Sequence, residues 1–312
     1  MNGVDSYPRV GTKDFLSVLD LSSAELTSLL DLAARLKRER ALGANAPTRS
    51  ALAGKHVALI FEKPSLRTRA TFEIAVRELG ADALHVPPSS IDGQREPLED
   101  IARNLERWVH GVVLRTFAQA KASAIGTAAS RLHVINALTD EEHPCQALAD
   151  FLTLREQWGG WQGRTLAYVG DGNNVAVSLA HAAAMLGVSL RIASPAGHGL
   201  SAAVATAARG VATAGATLTL MQDPLEAAAG ADAVYTDVWT SMGQEAEADE
   251  RRRTFSPYQV NAALMAVTAP GTSWASIIFC MAAAMAASWP SSVSGVMRKA
   301  SNGRIAPAYH GD

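Results

Sequence analysis

The sequence predicts an α/β protein of two domains, each a parallel sheet flanked by helices. Short apolar runs alternate with helical patterns, joined by short connections, from about residue 56 to about residue 240. Apolar strands in such an alternation belong to sheets covered on both faces. At 312 residues the chain is also long enough for two cores.

The elements follow in order. "HVALIF" (56–61) is a strand, and "ATFEIAVRELG" is a helix that stops at Gly80. Next come a strand "ALHV" (83–86), an amphipathic helix "PLEDIARNLERWV" (97–109) and a strand "GVVLR" (111–115). An alanine-rich helix, the strand "HVINA" (133–137) and a long helical pattern over 143–159 complete the first half. Its stretch "CQALADFLTLRE" has no Pro or Gly break and carries the chain between domains, with a boundary near residue 150. The second half repeats the theme with "TLAYVG" (165–170), the helix "NNVAVSLAHAAAMLG", "LRIASP", another alanine-rich helix, "ATLTL" and "AVYTD" (233–237).

Bulk properties exclude several classes. A formal net charge of −2 with 19% charged residues gives no basic field for nucleic acid. Cys145 and Cys280 make neither a disulfide framework nor a zinc spacing, which fits a reducing cytoplasm. The N-terminus "MNGVDSYPRVGTKDF" has no apolar core of a signal peptide.

Ligands of open α/β sheets bind beyond the carboxyl ends of the strands, and the polar clusters fall there. "FEKPSLRTRATFE" (61–73) places Ser65, Arg67, Thr68 and Arg69 between a strand and a helix. Free N–H groups and the positive dipole end make such a corner an anion site, and hydroxyls with guanidinium groups suit phosphate. The alternative is an N-cap serine beside two solvated arginines. Arg115 ends a strand, where it has no packing role, and is an anion contact. In "DEEHPCQALADF", His143 and Gln146 open a helix and can donate to a carbonyl oxygen. Cys145 is either a reactive thiol near a helix N-terminus or a packing cysteine.

"GDGNN" (170–174) also links a strand to a helix, but Val175 stands where a dinucleotide fingerprint has its third glycine. No acidic residue follows in "LRIASPAG" to hold a ribose, which leaves a dehydrogenase as a minor alternative. Asn173 and Asn174 are N-cap candidates or ligand amides. "TDVWTSMGQEAE" offers Asp237 to bind an ammonium group or to cap a turn, followed by Ser241 and Met242.

Taken in order, S-x-R-T-R, a strand-end arginine, H-P-C-Q, G-D-G-N-N and D-x-W-x-S-M-G resemble the transcarbamylase family over roughly residues 12 to 270. The last motif places the likeness with its ornithine-using members rather than the aspartate-using ones. The resemblance implies a carbamoyl-phosphate domain over 1–150, an ornithine domain over 151–271, and a homotrimer with shared active sites. It implies no metal and no organic cofactor. It also implies that carbamoyl phosphate and L-ornithine give L-citrulline and phosphate. Residue by residue, Ser65, Leu66, Arg67, Thr68 and Arg115 would hold the phosphate. His143 and Gln146 would meet the carbamoyl group, with Arg67, Arg115 and His143 catalytic. Asn174, Asp237, Ser241 and Met242 would hold ornithine.

The chain departs from that pattern in three places. Leu66 replaces a frequent hydroxyl residue, and Ile91 follows Ser90 where a glutamine for the neighbouring subunit is usual, Gln94 coming later. Beyond residue 271 the family's H-C-L-P is absent; Cys280 and Met281 do not restore it, and Arg304 is the candidate for the late phosphate arginine. The 272–312 tail is read as out of frame, as genuinely divergent, or as an apolar stretch, "GTSWASIIFCMAAAMAASW", long enough to span a membrane. The functional alternatives are a transcarbamylase for another amine and a carbamoyl-phosphate or phosphate-binding protein without turnover.

Overall fold

The computed structural model describes residues 7–93, 95–213, 215–240, 245–270 and 272. The tail beyond residue 272, Gln94, Ser241 and Met242 therefore lie outside the described residues.

The first half runs α1 (Ser23–Arg40), β1 (His56–Phe61), α2 (Leu66–Glu78), β2 (Asp82–Val86), α3 (Leu98–Trp108), β3 (Gly111–Arg115), α4 (Gln119–Ala128), β4 (His133–Leu138) and α5 (Pro144–Trp158). The second continues with β5 (Thr165–Val169), α6 (Asn174–Leu186), β6 (Ser189–Ala193), α7 (Ala202–Gly210), β7 (Leu218–Met221), α8 (Pro224–Ala228), β8 (Ala233–Tyr235), α9 (Ala248–Phe255) and α10 (Ala262–Met265).

The strands form two parallel four-stranded sheets, ordered β2-β1-β3-β4 and β7-β6-β5-β8. In each, chain order reverses at one junction, between β1 and β3 and between β5 and β8. Loops leaving such a pair diverge to opposite faces and open a crevice at the carboxyl ends of the strands. The register sets Phe61 opposite Arg115 in the first sheet and Tyr168 opposite Tyr235 in the second.

Burial explains the continuous apolar strands. β3 is buried at every position, including Arg115. One face of the first sheet packs Ile60, Val112 and Leu114 against Ile101, Leu105 and Ile125 of α3 and α4. The other packs Leu59 and Val113 with Phe72 of α2. The largest cluster joins Leu26 and Leu30 of α1, Phe151 of α5 and Leu179 of α6 to Tyr168 and Leu190 of the second sheet. α1 thus packs on α5 and α6, although it precedes the first sheet in the chain. Burial of each such side chain contributes about 1.5–3 kcal/mol before entropy is counted.

α5 is unbroken, as its sequence predicts, and ends at Gly159 with φ 73°, a left-handed C-cap that glycine adopts without strain. Among the described residues no helix is long and apolar enough to cross a membrane.

Candidate active site

A cleft of 1170 Å³ opens where the two sheet crevices face each other. Nine of the candidate residues line it: Ser65, Leu66, Arg67, Thr68, Arg115, His143, Gln146, Asn174 and Asp237. The other two, Ser241 and Met242, are outside the described residues.

Ser65 is the N-cap of α2, and its hydroxyl accepts from Thr68 N at 3.3 Å. Capping does not account for the rest of this corner. The first turn of α2 carries no acidic residue, while Arg67 and Arg69 put positive charge at the positive end of the helix dipole. Neither arginine has a carboxylate within ion-pair distance among the described residues. Leu66 is 86% exposed, so its contribution to an anion is its backbone N–H rather than its side chain.

Arg115 enters from the neighbouring strand. At its end the β3–β4 register skips Ala137, pairing Arg115 with Leu138, an irregularity of the kind that re-aims a side chain. Arg115 is 8% exposed and its Nε has no partner. Burial, then the nearby charge of Arg67, pushes Arg115 below the usual arginine range. A buried guanidinium without a carboxylate is costly unless an anion completes it.

His143 is the residue before Pro144 at the start of α5. Burial, then Arg115, drives its pKa down to about 3, so the ring is a neutral imidazole. Its Nδ1 has no partner. The backbone is fixed from behind: His143 N donates to Ser178 Oγ at 2.9 Å, and Ser178 Oγ donates to buried Glu142 at 2.7 Å. Glu142 also accepts from Ser17 Oγ and lies 3.3 Å from His181 Nδ1. Burial opposes its charge, and hydrogen bonds from His181, Ser17 and Ser178 outweigh that, holding it below the usual carboxylate range. Gln146 Nε2 donates to Asp150 at 2.9 Å, and Asp150 also receives Tyr235 OH at 3.0 Å, which ties α5 to the end of β8.

The second sheet supplies the opposite wall. Asn173, not Asn174, is the N-cap of α6, accepting from Val175 N and Ala176 N. Its Nδ2 donates to Asp237 at 3.0 Å. Asn174 reaches across the cleft to the Thr139 carbonyl at 2.5 Å. Burial raises the Asp237 pKa, opposed by Val238 N–H and Asn173. No lysine, arginine or histidine pairs with Asp237 among the described residues. The second glycine of "GDGNN" has a local explanation: a Cβ on Gly172 would meet Gly199 C at 2.5 Å and Leu200 N at 2.7 Å. Close packing of the 195–200 loop on this turn, rather than a pyrophosphate, requires glycine there.

Cys145 Sγ donates to the Asn136 carbonyl at 3.4 Å, and burial pushes the thiol up to about 12. It is the packing cysteine of the two alternatives. Ile91 is fully buried against the first sheet and does not take the place of the family's inter-subunit glutamine.

The cleft also holds residues the sequence did not single out. Lys63 is buried, pairs with Asp140 and lies 4.7 Å from the Phe117 ring centroid. Asp171, His198 and Arg251 line the second wall. Lys63 sits inside the quoted phosphate loop and was legible by position. Arg251 lies in the charged run "ERRRTF", which reads as solvent-exposed.

Comparison with known proteins follows the same division. Residues 13–156 match the family model for the aspartate/ornithine carbamoyltransferase carbamoyl-P binding domain, and 162–283 match that for the Asp/Orn binding domain. The second match runs past residue 271, so the family pattern extends further into the tail than its motifs do. An ornithine carbamoyltransferase of Anoxybacillus flavithermus is 48% identical over 255 residues, covering 81% of this chain and 80% of its own. That of Thermus thermophilus is 46% identical over 259 residues, covering 83% and 81%. Among solved structures, the Pyrococcus furiosus ornithine carbamoyltransferase superposes with a TM-score of 0.78 at 40% identity, covering 83% of this chain and 82% of its own. The Gloeobacter violaceus enzyme gives 0.74 at 42% identity, covering 85% and 84%. With both domain models matched in order and relatives of this identity over most of its length, the chain belongs to the aspartate/ornithine carbamoyltransferase family.

Proposed function

We propose that the cleft binds carbamoyl phosphate on the first sheet and L-ornithine on the second, and that the chain is an ornithine carbamoyltransferase producing citrulline and phosphate. One observation carries the assignment of the walls. A buried arginine without a carboxylate, Arg115, faces across the cleft from a half-buried carboxylate without an ion-pair partner among the described residues, Asp237. An anion belongs at the first and an ammonium group at the second.

In this reading the Ser65–Thr68 corner and Arg115 hold the phosphate. The neutral His143 and Gln146 face the carbamoyl oxygen as donors, and charge growing on that oxygen strengthens these bonds. Asp237 and Asn174 hold the amino acid. The δ-amine of ornithine has a pKa of about 10.4, so it must lose a proton before its lone pair can attack. The C–N bond then forms, the bond from carbon to phosphate oxygen breaks, and the amine's second proton leaves with the phosphate or to solvent. No side-chain nucleophile is required. The domain division near residue 150, a homotrimer, and places for Ser241 and Met242 beside ornithine belong to the same reading.

The absence of H-C-L-P favours one second reading, a chain that binds but does not turn over. Citrulline formation by the purified 312-residue chain, beside a version whose tail carries H-C-L-P, decides between them. Turnover by the native chain is the expected result. Turnover only after repair establishes the binding protein, and failure of both versions overturns the assignment.

A further inference from the structure

Arg251 is 6% exposed, and its guanidinium makes four contacts. Its Nε donates to the Trp239 carbonyl at 2.5 Å, and one terminal nitrogen pairs with the Asp171 carboxylate. The other lies 4.0 Å from Glu247, whose side chain is mostly solvated. The guanidinium carbon stands 5.1 Å from the centroid of fully buried Phe255, a cation–π distance. The Phe255 ring meets Trp239 at 6.4 Å and the His198 edge at 4.9 Å, and His198 Nδ1 is 3.8 Å from Asp171.

These contacts join segments that are distant in sequence and meet at the amino-acid wall of the cleft. Asp171 is two residues before Asn173, and Trp239 is two residues after Asp237. Asn173 and Asp237 share the 3.0 Å hydrogen bond that orients the Asp237 carboxylate. Arg251 therefore ties the segments on both sides of that bond, through the Asp171 carboxylate on one and the Trp239 backbone carbonyl on the other. A planar guanidinium can serve a carbonyl and a carboxylate at once from fixed directions, which an ammonium group cannot.

We propose that Arg251 is a positioning residue for the amino-acid substrate: it clamps the Asp171 turn to the Trp239 segment and so sets where Asp237 stands. It acts through Asp237 and does not itself touch the reacting atoms. The inference rests on the reading that Asp237 receives the ammonium-bearing substrate.

The test uses the full chain with Arg251→Lys, Asp171→Asn and the double variant. Steady-state kinetics are run for both substrates, and each substrate is also titrated calorimetrically, ornithine in the presence of inorganic phosphate so that no carbamoyl transfer occurs. Arg251→Lys is expected to weaken ornithine about tenfold or more and to leave carbamoyl phosphate within about twofold. Asp171→Asn should give the same split, with the double variant falling short of the product of the two losses because the residues act as a unit. A general loss of packing would instead lower the melting temperature and weaken both substrates alike. Unchanged ornithine affinity, equal losses for both substrates, or additive effects overturn the inference. If the parent chain binds neither substrate, the functional reading itself fails and this inference fails with it. A parent that binds both beside an unaffected Arg251→Lys removes the inference alone.

Discussion

Arg115 and His143 meet in one buried corner of the cleft, and the charge of the first helps keep the second neutral. An imidazole in an unfolded chain takes up its proton near 6.5, whereas burial and Arg115 delay this in His143 to about 3. Between those values the unfolded chain holds the extra proton. The stability linked to His143 is therefore intact above about 6.5 and falls as the pH drops toward about 3. The His143 ring should show no carbon-13 shift change from about pH 8 to about pH 5. His143→Asn should move acid unfolding to lower pH. A His143 ring that titrates near neutrality would contradict the neutral-donor role.

Arg115→Met should separate function from stability. In the free protein the buried guanidinium lacks a carboxylate, and its Nε lacks any partner. An apolar side chain of similar length removes that desolvation burden, so the melting temperature should rise by about 2–4 °C for each kcal/mol gained. Carbamoyl phosphate should bind about ten to a hundred times more weakly, the loss expected for charge-assisted hydrogen bonds. Calorimetry and thermal melts check both halves. A destabilised variant that still binds would show that Arg115 is structural.

Cys145 lies between two residues assigned to the carbamoyl group, yet its thiol, pushed up to about 12, stays protonated at neutral pH. Thiolate, not thiol, reacts with alkylating reagents. Peptide mapping after iodoacetamide treatment of the native chain at about pH 8 should find Cys145 unmodified, with modification only after denaturation. Cys145→Ala should retain citrulline formation within about threefold, its loss being one small packing and hydrogen-bond group. Rapid native labelling would revive the reactive-thiol alternative.

The sequence made the fold legible because its strands are short apolar runs set between helices, and parallel sheets follow from that order. The switch points were not legible, since strand order depends on packing across the sheet and not on local pattern. They explain why polar clusters after β1, β3, β5 and β8 converge. At residue level, the anion corner was readable because arginines at a helix N-terminus have no local partner. The N-cap of α6 is Asn173 rather than its neighbour, a one-residue distinction that backbone geometry decides. Arg251 was unreadable: in a run of arginines nothing local marks the one that turns inward, and its partners stand 80 residues back at Asp171 and 12 back at Trp239.

Asp237 gives the sharpest test of the amino-acid wall. Burial raises its pKa, Asp171 adds to this, and Val238 N–H, Asn173 and Arg67 oppose it. Below that raised value the free protein carries a proton on Asp237. An ornithine ammonium group favours the carboxylate, so binding must expel that proton, and ornithine affinity must weaken as the pH falls through the raised pKa. Calorimetry at a series of pH values through the acid range, in buffers of different ionisation enthalpy, should record proton release that grows as the pH falls, on adding ornithine to the protein saturated with inorganic phosphate, where no carbamoyl transfer occurs. Asp237→Asn keeps the shape and removes the titration. It should abolish that release and weaken ornithine about ten- to a hundredfold, with carbamoyl phosphate within about twofold. Equal losses for both substrates, or proton release that survives in Asp237→Asn, would take ornithine's ammonium group away from this carboxylate.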